Sequence, residues 1–262
     1  DSLLNLANLL VGHMRGGMGQ VNIVLSTLMG GLSGSNIADA AMEAKMLVPE
    51  MVKKGFSLEF STVITATSSM ITPLIPPGIA MILYACIANV SVGKLFMSGI
   101  GVGIVLCASL MIMTSVISKK RGYKRMREEK ATPKQIWGAT KPAILPLCLP
   151  IIIIGGIRLG VFSATEAGAV AIVYSAFLGI LYKTLKLENC LAGLKETVTT
   201  TASIMLIVSA ASVYSWVLTK EQIPQALTNW MISNISNKYI FLLFCNVFLL
   251  IVGMFIECNA SM

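Results

Sequence analysis

Charge is what this 262-residue chain has least of. Asp, Glu, Lys and Arg together make up 12% of it, against 55% hydrophobic residues and a mean hydropathy of +0.80. Polar surface could not cover that much apolar side chain in water, so a soluble globular domain is excluded and lipid is implied as the solvent. Histidine is scarcer still, because His13 stands alone with no second ligand nearby. Six cysteines (Cys86, Cys107, Cys148, Cys190, Cys245, Cys258) form no CxxC pair. Five of them lie in or beside apolar segments, where cysteine acts as a small hydrophobe, so no metal or disulfide role is expected of them. Neither HExxH nor GxSxG occurs, and no paired acids are read in the apolar segments, which leaves a membrane enzyme such as an intramembrane protease without a catalytic set. The opening Asp1-Ser2-Leu3-Leu4 shows no signal-peptide features, and the close at Glu257–Met262 is equally abrupt, so the chain reads as an internal fragment.

What is present is a series of five or six apolar segments, several of them long enough for the roughly 20 helical residues that cross a bilayer. Leu95–Ser118 and Thr197–Thr219 carry no charge, and Ser61–Gly93 runs uncharged for longer than one span needs. Pro142–Ile157 and Ala167–Tyr182 are shorter and are separated by Arg158 and Glu166; Tyr239–Ile256 closes the series. The chain is therefore read as an all-α integral membrane protein.

The formal net charge of +8 is not spread evenly. Eight of the twenty basic residues fall between Lys119 and Lys134, against only Glu128 and Glu129. A basic loop beside an apolar span marks the cytoplasmic face, a simpler reading than nucleic-acid binding. Threading outward from that loop places Met51–Gly55 inside, Arg158–Glu166 outside or in a buried cavity, Lys183 and Lys186 inside, and Lys220–Gln222 outside. Gly16–Met51 then starts beside Arg15 and ends beside Lys53, both on the cytoplasmic face. Its middle holds Gly30-Gly31-Leu32-Ser33-Gly34-Ser35-Asn36-Ile37-Ala38-Asp39, flanked by two half-length apolar pieces. Such a segment is expected to be re-entrant, with Ser33–Asn36 as a buried tip, because irregular backbone at membrane depth needs protein or a polar cavity around it.

A second break is expected at Thr72-Pro73-Leu74-Ile75-Pro76-Pro77-Gly78. Three prolines in five positions cannot continue a helix, although a simple kink is the alternative. The hydroxyls of Thr65, Thr67, Ser68, Ser69 and Thr72 would give the break a polar lining. Leu6-Ala7-Asn8 and the run to Gly31 also resemble Leu227-Thr228-Asn229 and the run to Gly253, entering from opposite faces, which is the pattern of an inverted repeat. In secondary transporters such breaks place substrate and coupling ions near the midplane, with half-helix N-termini favouring anions and free carbonyls coordinating Na⁺. Ser33, Ser35 and Asn36 can supply side-chain oxygens, and the carbonyls from Thr72 to Pro77 are freed by the missing turn; this is a hard-oxygen set suited to Na⁺. Gly30, Gly31 and Gly34 allow close approach of two backbones, with or without a ligand. Asp39 is read as the only acid in the hairpin core, either an ion ligand or a first-turn acid favoured by the helix dipole. Ser163-x-x-Glu166 has the form of a capping box, and a pairing of Glu166 with Arg158 would offset the cost of their depth.

Several ordered motifs resemble the large membrane subunit of tripartite ATP-independent periplasmic (TRAP) transporters. They are Val11-Gly12-His13-Met14-Arg15-Gly16-Gly17, Gly31-Leu32-Ser33-Gly34-Ser35-x-x-Ala38-Asp39, Pro73-x-x-Pro76-Pro77, and Ser91-Val92-Gly93-Lys94-Leu95-Phe96. Gly160-Val161-Phe162-Ser163-x-Thr165-Glu166-Ala167, Ser215-Trp216-Val217-Leu218-Thr219 and Gly253-Met254-Phe255 follow in order. The resemblance implies an inverted-repeat, elevator-type Na⁺ symporter of the bacterial inner membrane, taking small organic anions from a periplasmic binding protein and accompanied by a small membrane subunit. It implies a Na⁺ site shared by Ser33, Ser35 and Asn36 with Thr72, Ile75 and Pro77, and a substrate lining from Gly34, Asn36, Pro76 and Gly78. Thr72 stands where the family usually has glycine, and Gly78 where serine is common. No cofactor is implied beyond Na⁺ as coupling ion, and no nucleic acid.

The implied organisation runs as follows. Residues 1–15 end an arm or scaffold helix. Residues 16–93 form the first half of a transport domain, with a re-entrant hairpin at 16–53 and a broken helix at 57–93. A transmembrane helix at 94–118 precedes a basic cytoplasmic loop and interfacial segment at 119–140. Scaffold helices and the arm of a second repeat occupy 141–238, and a second re-entrant hairpin begins within 239–262. With the partner half-site missing, the fragment is not expected to transport alone. A symporter of the same superfamily that needs no binding protein, and a passive anion channel built on the same breaks, are the rival readings.

Overall fold

The computed structural model describes residues 2–235 and 237–255. Every regular element among them is helical, with no strand. The chain divides into two units, 1–183 and 184–262.

The first unit opens with α1 (Ser2–Val11), followed by α2 (Gly17–Ser33) and α3 (Asn36–Lys53). Asn22 faces Met51 and Ser26 faces Glu43, so α2 and α3 run antiparallel as a hairpin. Each arm is about 26 Å long at a rise of about 1.5 Å per residue. Both arms exceed the half-length pieces expected from the apolar pattern, because α2 winds through Gly30 and Gly31 to Ser33, and α3 continues past Pro49. The turn between them is made by Gly34, with a left-handed φ of 62°, and by Ser35, whose hydroxyl accepts from the Ala38 N–H and so caps α3.

α4 (Leu58–Ser68) starts at the Ser57 cap and tightens into a 3₁₀ turn over Ser69–Leu74. The chain is extended at Ile75, passes a cis Pro76–Pro77 bond, stays extended at Gly78 and resumes as α5 (Ile79–Ile87). The two halves are bent by 45°. The expected discontinuity at the proline cluster is present, and it is more than a kink: the extended residues between the two halves belong to no helix.

α6 (Val92–Arg121), α7 (Pro133–Arg158) and α8 (Ala164–Leu181) complete the first unit, and each is long and apolar enough to cross a bilayer. Only 122–132 separates α6 from α7, so the basic loop is shorter than expected. Proline at the first helical position and a Thr132/Gln135 capping box start α7 well before Pro142. Buried side chains concentrate on the hairpin: Val21, Ile23 and Leu25 of α2 pack with Leu47 and Met51 of α3 and with Phe60, Ile64 and Ile71. α1 packs on both α2 and α7.

The second unit holds α9 (Leu187–Lys220), also long enough to span, then α10 (Ile223–Asn234) and α11 (Lys238–Gly253). α9 and α11 bury no residue within the chain. An all-round apolar helix with nothing packed over it is a lipid-facing or partner-facing helix. The α10–α11 pair, of 12 and 16 residues, corresponds in order and length to α1–α2, of 10 and 17, as the faint repeat suggests. The part of the expected second hairpin at 256–262 lies outside the described residues.

The Ser163/Glu166 capping box at the start of α8 is formed: the Ser163 N–H donates to Glu166 Oε2 at 2.7 Å, and the Glu166 N–H to Ser163 Oγ at 3.3 Å. Glu166 does not pair with Arg158, whose guanidinium instead reaches Met97 Sδ at 3.6 Å. The cap satisfies the carboxylate locally, which removes the need for a counter-ion. Replacing Ser163 by Ala is expected to cost about 1 kcal/mol through the lost cap. A lowered midpoint in thermal unfolding of the purified protein checks this, and Ser163→Thr is expected to restore it.

Candidate functional site

The hairpin tip and the proline break meet. The Ile79 N–H, at the start of α5, donates to the Gly34 carbonyl at 3.4 Å. A side chain at Gly34 would collide with the Pro77 carbonyl oxygen, and one at Gly30 would come within 3.1 Å of the Thr72 carbonyl. Glycine is therefore required at these two positions by contact, and at Gly34 also by its positive φ. Ile75 packs against Gly30 on one side and Gly103 of α6 on the other, which fixes the break between hairpin and α6.

The break leaves carbonyls without helical donors. Pro76 and Pro77 have no N–H, and among the described residues no backbone N–H donates to the carbonyls of Ile75, Pro76 or Pro77. These oxygens sit beside the tip residues that can add side-chain oxygens. Ser33 shares with Pro77 a cavity of about 200 Å³, whose remaining wall is apolar and comes largely from Phe96, Ile153 and Ala167.

The six expected ion ligands are not equivalent. Ser33 and Asn36 are half-buried at the tip, and Ile75 and Pro77 contribute backbone. Ser35 uses its hydroxyl to cap α3. Thr72 is fully buried; its hydroxyl donates to Asp39 Oδ2 at 2.8 Å, and its carbonyl accepts from the Ile75 N–H at 3.3 Å, which leaves one lone pair of that carbonyl for a ligand. Of the expected substrate lining, Gly34, Pro76 and Gly78 all lie at the hairpin contact, and Gly78 also packs back on Pro73 within the break. The tip is less enclosed than expected, since Gly34 alone of Ser33–Asn36 is buried.

A row of buried polar residues below the tip carries a larger correction. Asn22 donates to Thr65 Oγ1 at 2.7 Å and accepts from Ser68 Oγ at 2.9 Å. Ser26 Oγ donates to Glu43 Oε2 at 2.7 Å. Asp39 is thus not the only acid in the hairpin core: Glu43, one helical turn on, is 0% exposed, and its Oε1 has no partner among the described residues. The two acids form a pair within one segment, contrary to the expectation of none. Their i, i+4 spacing, matched by Asn22, Ser26 and Gly30 on α2, is the signal that would have found the row. Gln20 extends it to α6 through the Met111 carbonyl and Ser115 Oγ, both at 2.9 Å.

The arrangement offers hard neutral oxygens at a backbone break, backed by two buried carboxyl groups, and the described residues contain no group of three or more His, Cys, Asp or Glu able to hold a metal ion. Hard neutral oxygens of this kind are chemically able to ligate a monovalent cation.

Comparison with known proteins shows which family the chain is similar to. The family described as tripartite ATP-independent periplasmic transporter, DctM component, matches residues 1–262. A sialic acid TRAP transporter large permease protein from Vibrio cholerae is 40% identical over 261 residues, covering 99% of this chain and 61% of that protein. A C4-dicarboxylate TRAP transporter large permease protein from Pseudomonas aeruginosa is 35% identical, covering 98% and 60%. The 2,3-diketo-L-gulonate counterpart from Escherichia coli K12 is 33% identical, covering 99% and 61%. This chain therefore spans about three-fifths of the length of these relatives.

Two substitutions probe the site. Thr72→Val keeps the volume but removes the 2.8 Å hydroxyl donor to buried Asp39, an expected loss of about 1–3 kcal/mol. Gly34→Ala combines a left-handed backbone with the Pro77 collision and is expected to lower thermal stability at least as much. Melting of each purified variant against wild type checks both, and an unchanged midpoint would contradict the contacts described.

Proposed function

The chain belongs to the DctM component family of TRAP transporters, large permease proteins of the bacterial inner membrane, and on that footing we propose that it forms part of a Na⁺-coupled importer of small organic anions. The single observation that carries this reading is the pairing of donor-free carbonyls at Ile75–Pro77 with the Ser33–Asn36 tip across a contact only glycine permits. Oxygen ligands of this kind, held by two discontinuous segments, suit Na⁺ binding near the membrane midplane.

In this reading Ser33 and Asn36 give side-chain oxygens, Thr72, Ile75 and Pro77 give carbonyls, and Ser35 is mainly a cap. Gly34, Asn36 and Pro76 face the substrate, an anion attracted by the bound cation and by the N-termini of α3 and α5. The hairpin is re-entrant from the cytoplasmic face, the hairpin and broken helix move together in an elevator step, and α7 and α8 belong to the scaffold. A second half-site from the rest of the longer protein completes the pocket. A periplasmic binding protein delivers the substrate and a small membrane subunit accompanies the permease. The relatives' substrates are all carboxylated, which supports a carboxylate as the cargo.

Proteoliposomes holding the full-length permease with its small subunit test the proposal. Uptake is expected only with an inward Na⁺ gradient and the loaded binding protein. Asn36→Ala is expected to raise the Na⁺ concentration for half-maximal uptake about tenfold, equivalent to about 1.4 kcal/mol of binding. Undiminished uptake in Na⁺-free buffer would refute the coupling. Anion flux without the binding protein would favour a channel or a binding-protein-independent symporter.

A further inference from the structure

The basic loop after α6 does not trail away from the protein. Gly122, with a left-handed φ of 72°, turns the chain back at the end of α6. The Met126 and Arg127 N–H groups then both donate to the Gly12 carbonyl, at 2.9 and 3.1 Å, in the joint between α1 and α2. Tyr123 stacks against Phe56 and Phe60, and its hydroxyl accepts from the Ser57 N–H at 3.2 Å, in the joint between α3 and α4. One short segment thereby ties down both ends of the hairpin.

Folding back in this way encloses a cleft of about 570 Å³ whose charged lining is Arg15, Lys119, Lys124, Arg125 and Glu128. Four cations face one carboxylate, and none of the four cationic side chains makes an ion pair or hydrogen bond among the described residues. At the wall lies Ser118, 1% exposed, whose hydroxyl has no partner, and one turn below it Thr114 is buried and unpartnered in the same way. A loop that only fixes membrane orientation needs charge, but it needs no concave shape. Four uncommitted cations lining one cleft form a receptor for a phosphate group, which takes charge-assisted hydrogen bonds from Lys and Arg.

The position decides the source of that phosphate. The cleft opens where α6 passes from its apolar stretch into Lys119, at the level of a headgroup layer, and juxtamembrane basic pockets of this kind collect anionic lipid. We propose that the cleft binds the phosphate of an anionic lipid headgroup, clamping the hairpin base to α6 on the cytoplasmic face. Glu128 at its edge would disfavour a multiply charged soluble anion less well shielded than a lipid diester.

The test uses the full-length protein in nanodiscs of phosphatidylcholine alone or with phosphatidylglycerol, read by melting temperature and by lipid retained in native mass spectra. Wild type is expected to melt higher with phosphatidylglycerol and to retain it. K119Q/K124Q/R125Q is expected to lose most of both effects. K120Q/K130Q/K134Q, which removes three charges in or beside the loop but outside the cleft, is expected to keep them. Should the triple variant fail to fold, R15Q alone is expected to weaken retention severalfold. Equal losses in both triple variants, or no loss with R15Q, would overturn the site in favour of diffuse attraction. Inorganic phosphate stabilising the protein in detergent as well as the lipid does would overturn the lipid assignment.

Discussion

A backbone amide or carbonyl inside a bilayer has no water to turn to, and the first unit is organised around that constraint. The prolines at 73, 76 and 77 remove donors and force the chain out of helix for several residues. Those residues persist at depth because the hairpin tip covers them: Gly34 offers its carbonyl to Ile79, and Gly30 and Gly34 bring α2 and the turn against Thr72 and Pro77. Ile75 and Gly103 seal the other side. The carbonyls of Ile75, Pro76 and Pro77 accept from no backbone N–H among the described residues.

Beneath that junction the polar row from Gln20 to Glu43 does different work. Its side chains bond α2 to α3, α4 and α6 in pairs of mostly 2.7–2.9 Å. Helices in lipid gain little from apolar contact with one another, so hydrogen bonds and close glycine packing hold such a body together as one piece. Thr72 fits this logic. At a position where the TRAP resemblance leads one to expect glycine, its hydroxyl reaches across to Asp39, so a break residue is also part of the brace.

Much of this was legible in the residues. Charge scarcity gave the solvent, prolines gave the break, and the Gly/Ser-rich run gave the tip, because each is a local rule that lipid makes strict. Ser163-x-x-Glu166 was legible for the same reason, being complete within four residues. What escaped was tertiary. Glu43 reads as an ordinary charge on a helix that also carries Lys45, Glu50 and Lys53, and only the packing of α2 over it shows that it is buried. Arg158 and Glu166 look like partners along the chain, yet the cap already satisfies the acid. The folding-back of 122–132 depends on backbone hydrogen bonds to Gly12 and on the Tyr123 hydroxyl meeting the Ser57 N–H, long-range contacts that no local pattern announces.

In the proposed function the tip and the break together hold one cation. The most direct measurement is a pair of high-resolution cryo-electron microscopy maps of the full-length protein with its small subunit, one in Na⁺ and one with choline replacing it. The account predicts a density in Na⁺ between Ser33, Asn36 and the carbonyls of Thr72, Ile75 and Pro77, lost in choline with loosening of the tip. An identical tip and break in both maps, with no density between them, would contradict it.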